Sequence, residues 1–343
     1  WRGGDAYRTW AGLCSISHEV PTLRRWRFLR AQFANPRRAA AYVAEQGLDV
    51  LHFANINHLT FPLWRPALER TGVRVAASAH DVKRQKSILH RGWEDRQLKA
   101  FYRFADALFV HSTYQAEELV GFAGLRREKI HVVPHGPYPY GAAPNLDRRA
   151  LRRTLNLPED RPVALFFGQI RDEKNLEGLI RALPRSQSRP YLVVAGSEMG
   201  FRHRSADDYR ALARALGVAE DIAFRIGFVP DEEVAGLFCA ADWVALPYHA
   251  SFTSQSGVLN VAAHYERPVL VTPSPVLAET VRTAEIGVVC EAATPEAIAS
   301  GIDRLTGLLA DGHPFPFAAY RERYSWKANV QKTVAVYRRL LGG

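Results

Sequence analysis

The sequence is poor in cysteine and lacks long apolar runs. Only Cys14, Cys239 and Cys290 occur in 343 residues, and they form no CxxC pair. This pattern provides no disulfide framework and favours a reducing cytoplasm. No apolar run is long enough to span a bilayer, and no secretory signal pattern is visible at the start of the sequence.

Several motifs of nucleotide and metal chemistry are also missing. The sequence contains no D-x-D pair to hold Mg²⁺ on a diphosphate, no G-x-G-x-x-G and no G-x4-G-K-[ST]. Dinucleotide oxidoreductases and P-loop enzymes are therefore disfavoured. The formal net charge of +10 favours an anionic partner such as a nucleotide, a phospholipid surface or a nucleic acid. A general preference of the genome for arginine is the alternative explanation of this charge.

The apolar pattern predicts an α/β protein. Short apolar runs alternate with segments of helical spacing, which is typical of parallel sheets covered on both faces. The length suits two domains of about 150 residues each. We therefore expect two doubly wound, Rossmann-like domains that face each other across a cleft. The predicted strands begin at Cys14, Val50, Arg74, Ala107, Ile130, Val163, Tyr191, Ile222, Trp243, Arg267 and Gly287.

A segment rich in proline and glycine, PYPYGAAPN, marks the domain boundary. We assign residues 1–137 to the first domain and residues 138–160 to the linker. The second domain begins at residue 161. The sequence starts with WRGGD, which looks like the loop after a first strand, so we expect the natural N-terminus to lie upstream.

The stretch FFGQIRDEKN places two cations directly after an apolar run. The predicted strand ends at Gly168, and Arg171 and Lys174 follow it. In open parallel sheets, ligands bind beyond the carboxyl ends of the strands. The stretch therefore predicts an anion site, with a solvated turn as the alternative.

A second stretch, SFTSQSGVLN, leads from a strand into a predicted helix. Small residues at a helix start leave backbone N–H groups open to a phosphate. Ser256 could equally be an ordinary helix cap. Together with Arg171 and Lys174 on another strand end, the pattern favours a diphosphate clamp. These two cations would replace a metal ion on the diphosphate, so we predict no metal site.

The order of segments resembles that of GT-B glycosyltransferases of the retaining family 4 type. GQIRDEKNLEGLIRAL is similar to the family segment G-x-[LI]-x-x-x-K-[GN], and IGFVPDEEVAGLFCAADWVALPY resembles the segment that ends in P-S. ADALFVHSTYQAEEL and KIHVVPHG resemble the end of the family's first domain. RYSWKANVQKTVAVYRRLL resembles its closing helix. The similar segments cover most of the chain from about residue 50 onward.

This resemblance implies a hexosyltransferase-type enzyme that moves a sugar from a nucleoside-diphosphate sugar to an acceptor, with retention and without a cofactor. It implies that residues 161–318 bind the donor and that residues 319–343 form a helix returning to the first domain. The implied catalytic residues are Arg171, Lys174 and His80. The implied donor-binding residues lie in the first loop, at strand ends and in the phosphate loop: Gly3, Gly4, Gly168, Ile226, Gly227, Phe228, Ser256, Gly257 and Val258.

The sequence departs from the family at one motif. The family carries two glutamates in an E-x7-E arrangement around the phosphate loop, and this chain has no such pair. Thr253 and Val261 occupy those positions, so we expect Thr253, Gln255 or Asn260 to supply neutral hydrogen bonds. Donor identity and retention stay open. A catalytically silent module that binds a partner or a sugar nucleotide, or a sugar-nucleotide isomerase of the same fold, is the alternative.

The segment from Pro21 to Arg38 mixes arginines with Trp26, Phe28 and Phe33. A basic helix with aromatic residues can lie on an anionic membrane surface. It therefore predicts a lipid-linked acceptor and a location on the inner face of a membrane. The alternative is a helix whose apolar face packs in the first domain. A nucleic-acid acceptor also fits the charge, but no recognisable nucleic-acid module is present.

Overall fold

The computed structural model describes residues 21–56, 58–84, 90–137, 140–142, 147–200 and 203–342. The chain forms two compact α/β units. The first comprises residues 1–133 and 332–343, and the second comprises residues 134–331. Each unit contains one parallel sheet, which confirms the predicted fold class. The predicted strand at Cys14 and the predicted glycine loop at Gly3 and Gly4 lie outside the described residues.

The first unit contains a four-stranded sheet with the order β1-β2-β3-β4. Its strands are β1 (Val50–Phe53), β2 (Arg74–Ser78), β3 (Ala107–Val110) and β4 (Ile130–Val132). The helices before and between them are α1 (Pro21–Gln46), α2 (Phe61–Glu69), α3 (Arg91–Phe104) and α4 (Thr113–Ala123). All four strands begin where the sequence predicts them.

Alternate residues of these strands enter two different apolar clusters. Leu108 and Val110 pack with the helices α2 and α3 on one face, where Trp64 is fully buried. Phe109 points to the other face and packs with Val336. Val336 belongs to the closing helix, whose residues from 332 onward are part of the first unit. Both faces of the sheet are therefore covered, as expected for parallel strands.

The second unit contains a six-stranded sheet with the order β10-β9-β8-β5-β6-β7. Its strands are β5 (Val163–Phe167), β6 (Tyr191–Gly196), β7 (Ile222–Ile226), β8 (Trp243–Leu246), β9 (Val269–Val271) and β10 (Gly287–Val289). Its helices are α5 (Arg148–Thr154), α6 (Leu176–Ala182), α7 (Ala206–Ala215), α8 (Asp231–Ala240), α9 (Gly257–His264), α10 (Pro275–Ala284), α11 (Pro295–Ala310) and α12 (Phe317–Arg323). The last helix of the chain is α13 (Trp326–Leu340).

The strand order reverses at β5. The chain adds β6 and β7 on one side of β5, and then adds β8, β9 and β10 on the other side. The loops after β5 and β8 diverge at this topological switch point, where open parallel sheets bind their ligands. Among the described helices, none is long and apolar enough to cross a membrane.

Two glycines let neighbouring strand ends approach closely at the switch point. Gly168 directly follows β5, and Gly196 is the last residue of β6. Both have positive φ angles. A Cβ atom on Gly196 would lie 2.0 Å from the carbonyl oxygen of Gly168. Only a residue without a side chain fits there.

We expect Gly196→Ala to destabilise the protein more than Gly227→Ala. Both substitutions place a side chain at a positive φ, which costs about 1–3 kcal/mol. A Cβ on Gly227 would meet no other atom within 4 Å, whereas the one on Gly196 would clash with the backbone. The extra cost should be about 1–3 kcal/mol in urea denaturation. Equal losses would show that the close approach is not the constraint.

Candidate functional site

The turn after β5 carries the two predicted cations. Residues Asp172–Lys174 form one 3-10 turn, and Asn175 then adopts a left-handed conformation and caps α6 by accepting a hydrogen bond from the Gly178 amide. This tight geometry directs Lys174 back toward its own strand. Its Nζ donates a hydrogen bond to the Phe167 carbonyl at 3.3 Å.

Lys174 is a buried cation. Its side chain is 6% exposed, and its Nζ lies 5.5 Å from the ring centroid of Tyr248. Burial, together with the positive charge of Arg171, lowers the pKa of Lys174 from 10.5 to about 7. A lysine held out of water with one neutral hydrogen bond lowers stability, so its presence favours a functional role.

Arg171 lies beside Lys174 with part of its hydrogen-bonding capacity unused. Its Nη1 atom lies 3.2 Å from Oε1 of Glu173. Its Nε atom is buried and has no hydrogen-bond partner. Because arginine is charged at every physiological pH, this N–H group is a donor that an anion could satisfy.

The start of α9 lies next to this turn. A Cβ built on Gly168 would lie 3.2 Å from Nζ of Lys174 and 3.7 Å from Cγ2 of Val258. The side chain of Ser256 makes no capping hydrogen bond, so the ordinary cap is not what the structure contains. Instead, Ser256 is buried and its Oγ lies 3.5 Å from the hydroxyl of Tyr248. The hydroxyl of Ser256 therefore does not occupy the N–H groups at the start of α9, a position at which a helix can bind a phosphate.

The end of β7 reaches the same edge of the sheet. The amide of Gly227 donates a hydrogen bond to the carbonyl of Gly196 at 3.1 Å, which ties the end of β7 to the end of β6. Ile226 is half-buried, whereas Phe228 is 81% exposed. An aromatic ring left in water at the edge of this site offers a surface on which a planar ligand group can stack.

The three predicted neutral donors differ in their surroundings. Thr253 and Gln255 are half-buried in the loop between β8 and α9. Asn260 is buried, and its Oδ1 accepts a hydrogen bond from the hydroxyl of Tyr320 at 2.5 Å. Its Nδ2 lies 3.3 Å from Nδ1 of His135. The amide of Asn260 is thus engaged within the protein.

His80 lies after β2 in the first unit and stacks on a second histidine. Its Nδ1 lies 3.0 Å from Nε2 of His111, and Nδ1 of His111 lies 3.1 Å from the carbonyl oxygen of Val133. Burial lowers the pKa of His80, so its ring is uncharged at neutral pH.

Three residues around these sites were not predicted from the sequence. His111 contacts His80, Tyr248 lies under Lys174, and Glu173 pairs with Arg171. The position of Glu173 between the two cations is the only sequence signal that could have indicated its role. In the described residues, no group of three or more histidine, cysteine or acidic side chains is arranged to hold a metal ion.

Two protein-family models together match most of the chain. Residues 147–308 match the family model described as Glycosyl transferases group 1, and residues 3–137 match the model described as Glycosyltransferase Family 4. The D-inositol 3-phosphate glycosyltransferase of Streptomyces scabiei is 28% identical over 292 residues, which are 79% of this chain and 64% of that protein. The chain spans about half to two-thirds of the length of such curated relatives.

Solved structures share the fold. A glycosyltransferase from Rickettsia africae superposes with a TM-score of 0.73 at 16% identity, over 99% of this chain and 88% of that one. The HepE protein of Anabaena, solved with UDP, gives a TM-score of 0.72 at 17% identity, over 90% and 82% of the two chains. The two parallel-sheet units therefore define a protein of the GT-B class. More particularly, the chain belongs to glycosyltransferase family 4, and its second domain is of the group 1 type.

We expect Lys174→Met to stabilise the protein while it weakens nucleotide binding. Methionine fills a similar volume without a buried charge, and such replacements add up to about 1–4 kcal/mol. The folded pKa of about 7 lies below the ordinary 10.5, so the unfolded chain binds more protons between these values. The free energy of unfolding of the wild type therefore rises with pH across this window. The extra stability of Lys174→Met over the wild type should become smaller as the pH rises.

Thermal unfolding at pH 6.5 and pH 9 measures this difference. The control is Lys99→Met, which removes a cation from helix α3 of the first unit. A variant Lys174→Met that is less stable than the wild type at both pH values would show that the ammonium group supports the fold.

Proposed function

We propose that this protein is a glycosyltransferase that moves a sugar from a nucleoside-diphosphate sugar to an acceptor. The observation that carries the proposal is the buried ammonium of Lys174 beside the partly unpartnered guanidinium of Arg171. Both lie at the switch point of the second sheet, next to the start of α9. A diphosphate would satisfy the two cations and the helix N–H groups together.

The chemistry of sugar transfer explains why these groups lie there. When the bond between sugar and diphosphate breaks, negative charge develops on the leaving diphosphate. Fixed cations and backbone N–H groups stabilise that charge without rearrangement, which is usually the largest catalytic contribution. Arg171 and Lys174 supply positive charge that a metal ion supplies in other enzymes, so we propose that transfer is independent of metal.

Retention is part of the proposal. The acceptor would attack the face of the sugar from which the diphosphate departs, and a diphosphate oxygen would take the acceptor proton. We propose that His80, which is uncharged at neutral pH, is a catalytic residue of the first domain. Thr253 and Gln255 would supply neutral hydrogen bonds where the family carries its first glutamate.

The relatives support a sugar nucleotide as the donor. HepE of Anabaena has been solved with UDP and with UDP-glucose. The Streptomyces scabiei relative is named for transfer to D-inositol 3-phosphate. These names describe those proteins. For this chain we propose the class of donor, a nucleoside-diphosphate sugar, and leave the base and the sugar to experiment.

Binding and turnover test this function. We expect UDP, ADP or GDP, and one of the corresponding sugar nucleotides, to raise the melting temperature. At a ligand concentration one hundred times the dissociation constant, the free energy of unfolding should rise by about 2.7 kcal/mol. Arg171→Ala should remove a charge-assisted contact worth about 1.5–3 kcal/mol and weaken binding accordingly. Arg181→Ala, which removes a cation paired with Glu177 on α6, is the matched control.

The same assay separates the alternatives. Slow hydrolysis of the donor that persists in excess EDTA supports the proposed enzyme. Loss of activity on chelation, restored by Mg²⁺ or Mn²⁺, would contradict the metal-independent mechanism. Nucleotide binding without any hydrolysis favours a silent binding module, and conversion of the sugar nucleotide into an isomer without an acceptor favours an isomerase. Unchanged binding in Arg171→Ala would show that the diphosphate lies elsewhere.

We propose that the acceptor is presented at an anionic membrane surface. Helix α1 carries six arginines in the segment 21–38. In residues 30–46 of this helix, whose side chains are described, Ala39 and Val43 are buried, while Arg30 remains exposed. Arg37 stacks over Phe33 at 3.9 Å. This part packs as a helix of the first unit and still presents arginine to solvent.

Liposome co-sedimentation tests the membrane proposal. Each basic residue near an anionic leaflet contributes on the order of 1 kcal/mol, so changing Arg24, Arg25 and Arg27 to Ser should weaken binding about 100-fold. Binding should also fade as salt rises. A control with Arg126, Arg149 and Arg214 changed to Ser removes the same charge from exposed positions elsewhere in the chain. Equal binding to neutral and anionic liposomes would instead favour an acceptor in solution.

A further inference from the structure

Glu173 lies between the two cations of the proposed donor site in sequence, and the proposed reaction does not use it. Its Oε1 lies 3.2 Å from Nη1 of Arg171. Its Oε2 lies 3.8 Å from Nδ1 of His203, whose side chain is 8% exposed. The carboxylate of Glu173 is itself 23% exposed. It is thus paired with Arg171 of its own turn, while His203 from the loop after β6 lies close by and accepts a hydrogen bond from the Asp172 amide at 3.3 Å.

The backbone of Glu173 joins the turn to a third loop. Its carbonyl oxygen accepts a hydrogen bond from the amide of His249 at 2.9 Å. His249 lies after β8, in the loop that leads to Ser256 and α9. The turns after β5, β6 and β8 therefore meet at this one residue. No other acidic side chain in the described part of the chain forms an ion pair with Arg171.

The charge of Glu173 acts on Lys174 as well. Arg171 lowers the pKa of Lys174, and Glu173 raises it. Because a guanidinium does not release its proton, Lys174 is the group that would become neutral if this carboxylate were absent. The other groups facing this turn are Asp172, His203 and Tyr248, and burial raises the pKa of the Tyr248 phenol to about 12, so it stays neutral.

We propose that Glu173 is a positioning residue for the donor diphosphate, whose carboxylate holds the guanidinium of Arg171 in place. The inference rests on the proposed donor site. The same carboxylate keeps Lys174 charged in the empty site, a task that the negative charge of a bound diphosphate takes over. Removal of the carboxylate then has two consequences. It releases the guanidinium of Arg171 at every pH, and it removes the Lys174 charge at higher pH.

The experiment compares the wild type, Glu173→Gln and Glu177→Gln by isothermal titration with UDP, ADP and GDP between pH 5.5 and 9 at fixed ionic strength. The terminal phosphate of these probes titrates near pH 6. That titration cancels when each variant is expressed as a ratio to the wild type. Glu177 pairs with Arg181 and Arg204, so its substitution removes a nearby carboxylate without touching Arg171.

In Glu173→Gln, the decline of affinity with rising pH should begin about one pH unit lower than in the wild type. Near pH 5.5, where Lys174 is charged in both proteins, its affinity should be about threefold weaker than that of the wild type because the guanidinium of Arg171 is no longer held. At pH 8 the deficit should be about tenfold larger than at pH 5.5. Glu177→Gln should follow the wild type at every pH. A ratio of Glu173→Gln to wild type that is constant across the pH range would overturn the proposal, since a purely structural role lowers affinity equally everywhere.

Two further variants keep the test decisive if Glu173→Gln folds poorly. Glu173→Asp keeps the charge and should keep the pH profile of the wild type, and a shifted profile in this variant would count against the proposal. In a Lys174→Met background, adding Glu173→Gln should no longer change the pH dependence, and a remaining shift would contradict the role assigned to Lys174. A wild type that binds none of the three nucleotides overturns the proposed function itself, which is a different outcome from an unshifted variant.

Discussion

A positive charge held out of water at the carboxyl ends of the second sheet is the constraint on which the site depends. Lys174 gives up most of its hydration for one carbonyl hydrogen bond and the faces of Phe166 and Tyr248. Such an arrangement persists only if the surrounding fold supplies the missing stability. The apolar clusters on both faces of the six-stranded sheet supply it. The cation is then available to an anion without reorganisation.

Backbone geometry places that cation. The close approach of Gly168 and Gly196 brings the ends of β5 and β6 together, and the 3-10 turn at Asp172–Lys174 returns the lysine toward its strand. Across the switch point, the start of α9, which the Ser256 side chain does not cap, lies next to the same turn. Two sources of positive potential, a side chain and a helix end, thus converge because the strand order reverses between β5 and β8.

The strand ends of the first sheet carry imidazole rings in place of cations. His80 follows β2, His111 follows β3, and the two rings stack on each other. A buried neutral ring can accept or donate a hydrogen bond without carrying charge at pH 7. The strand ends of the second sheet thus carry the cations Arg171 and Lys174, and those of the first sheet carry the uncharged imidazole of His80.

The sequence by itself determined the fold class, the described strands and the two cations after β5. Apolar runs bounded by glycine and proline report burial directly, because a strand covered on both faces excludes polar residues. Only the tertiary structure decided that Lys174 is buried, that Ser256 does not cap α9 and that the amide of Asn260 faces Tyr320. It also brought Glu173, His203 and His249 together, because those contacts join three loops that are distant in the chain and depend on the strand order, which no local pattern encodes.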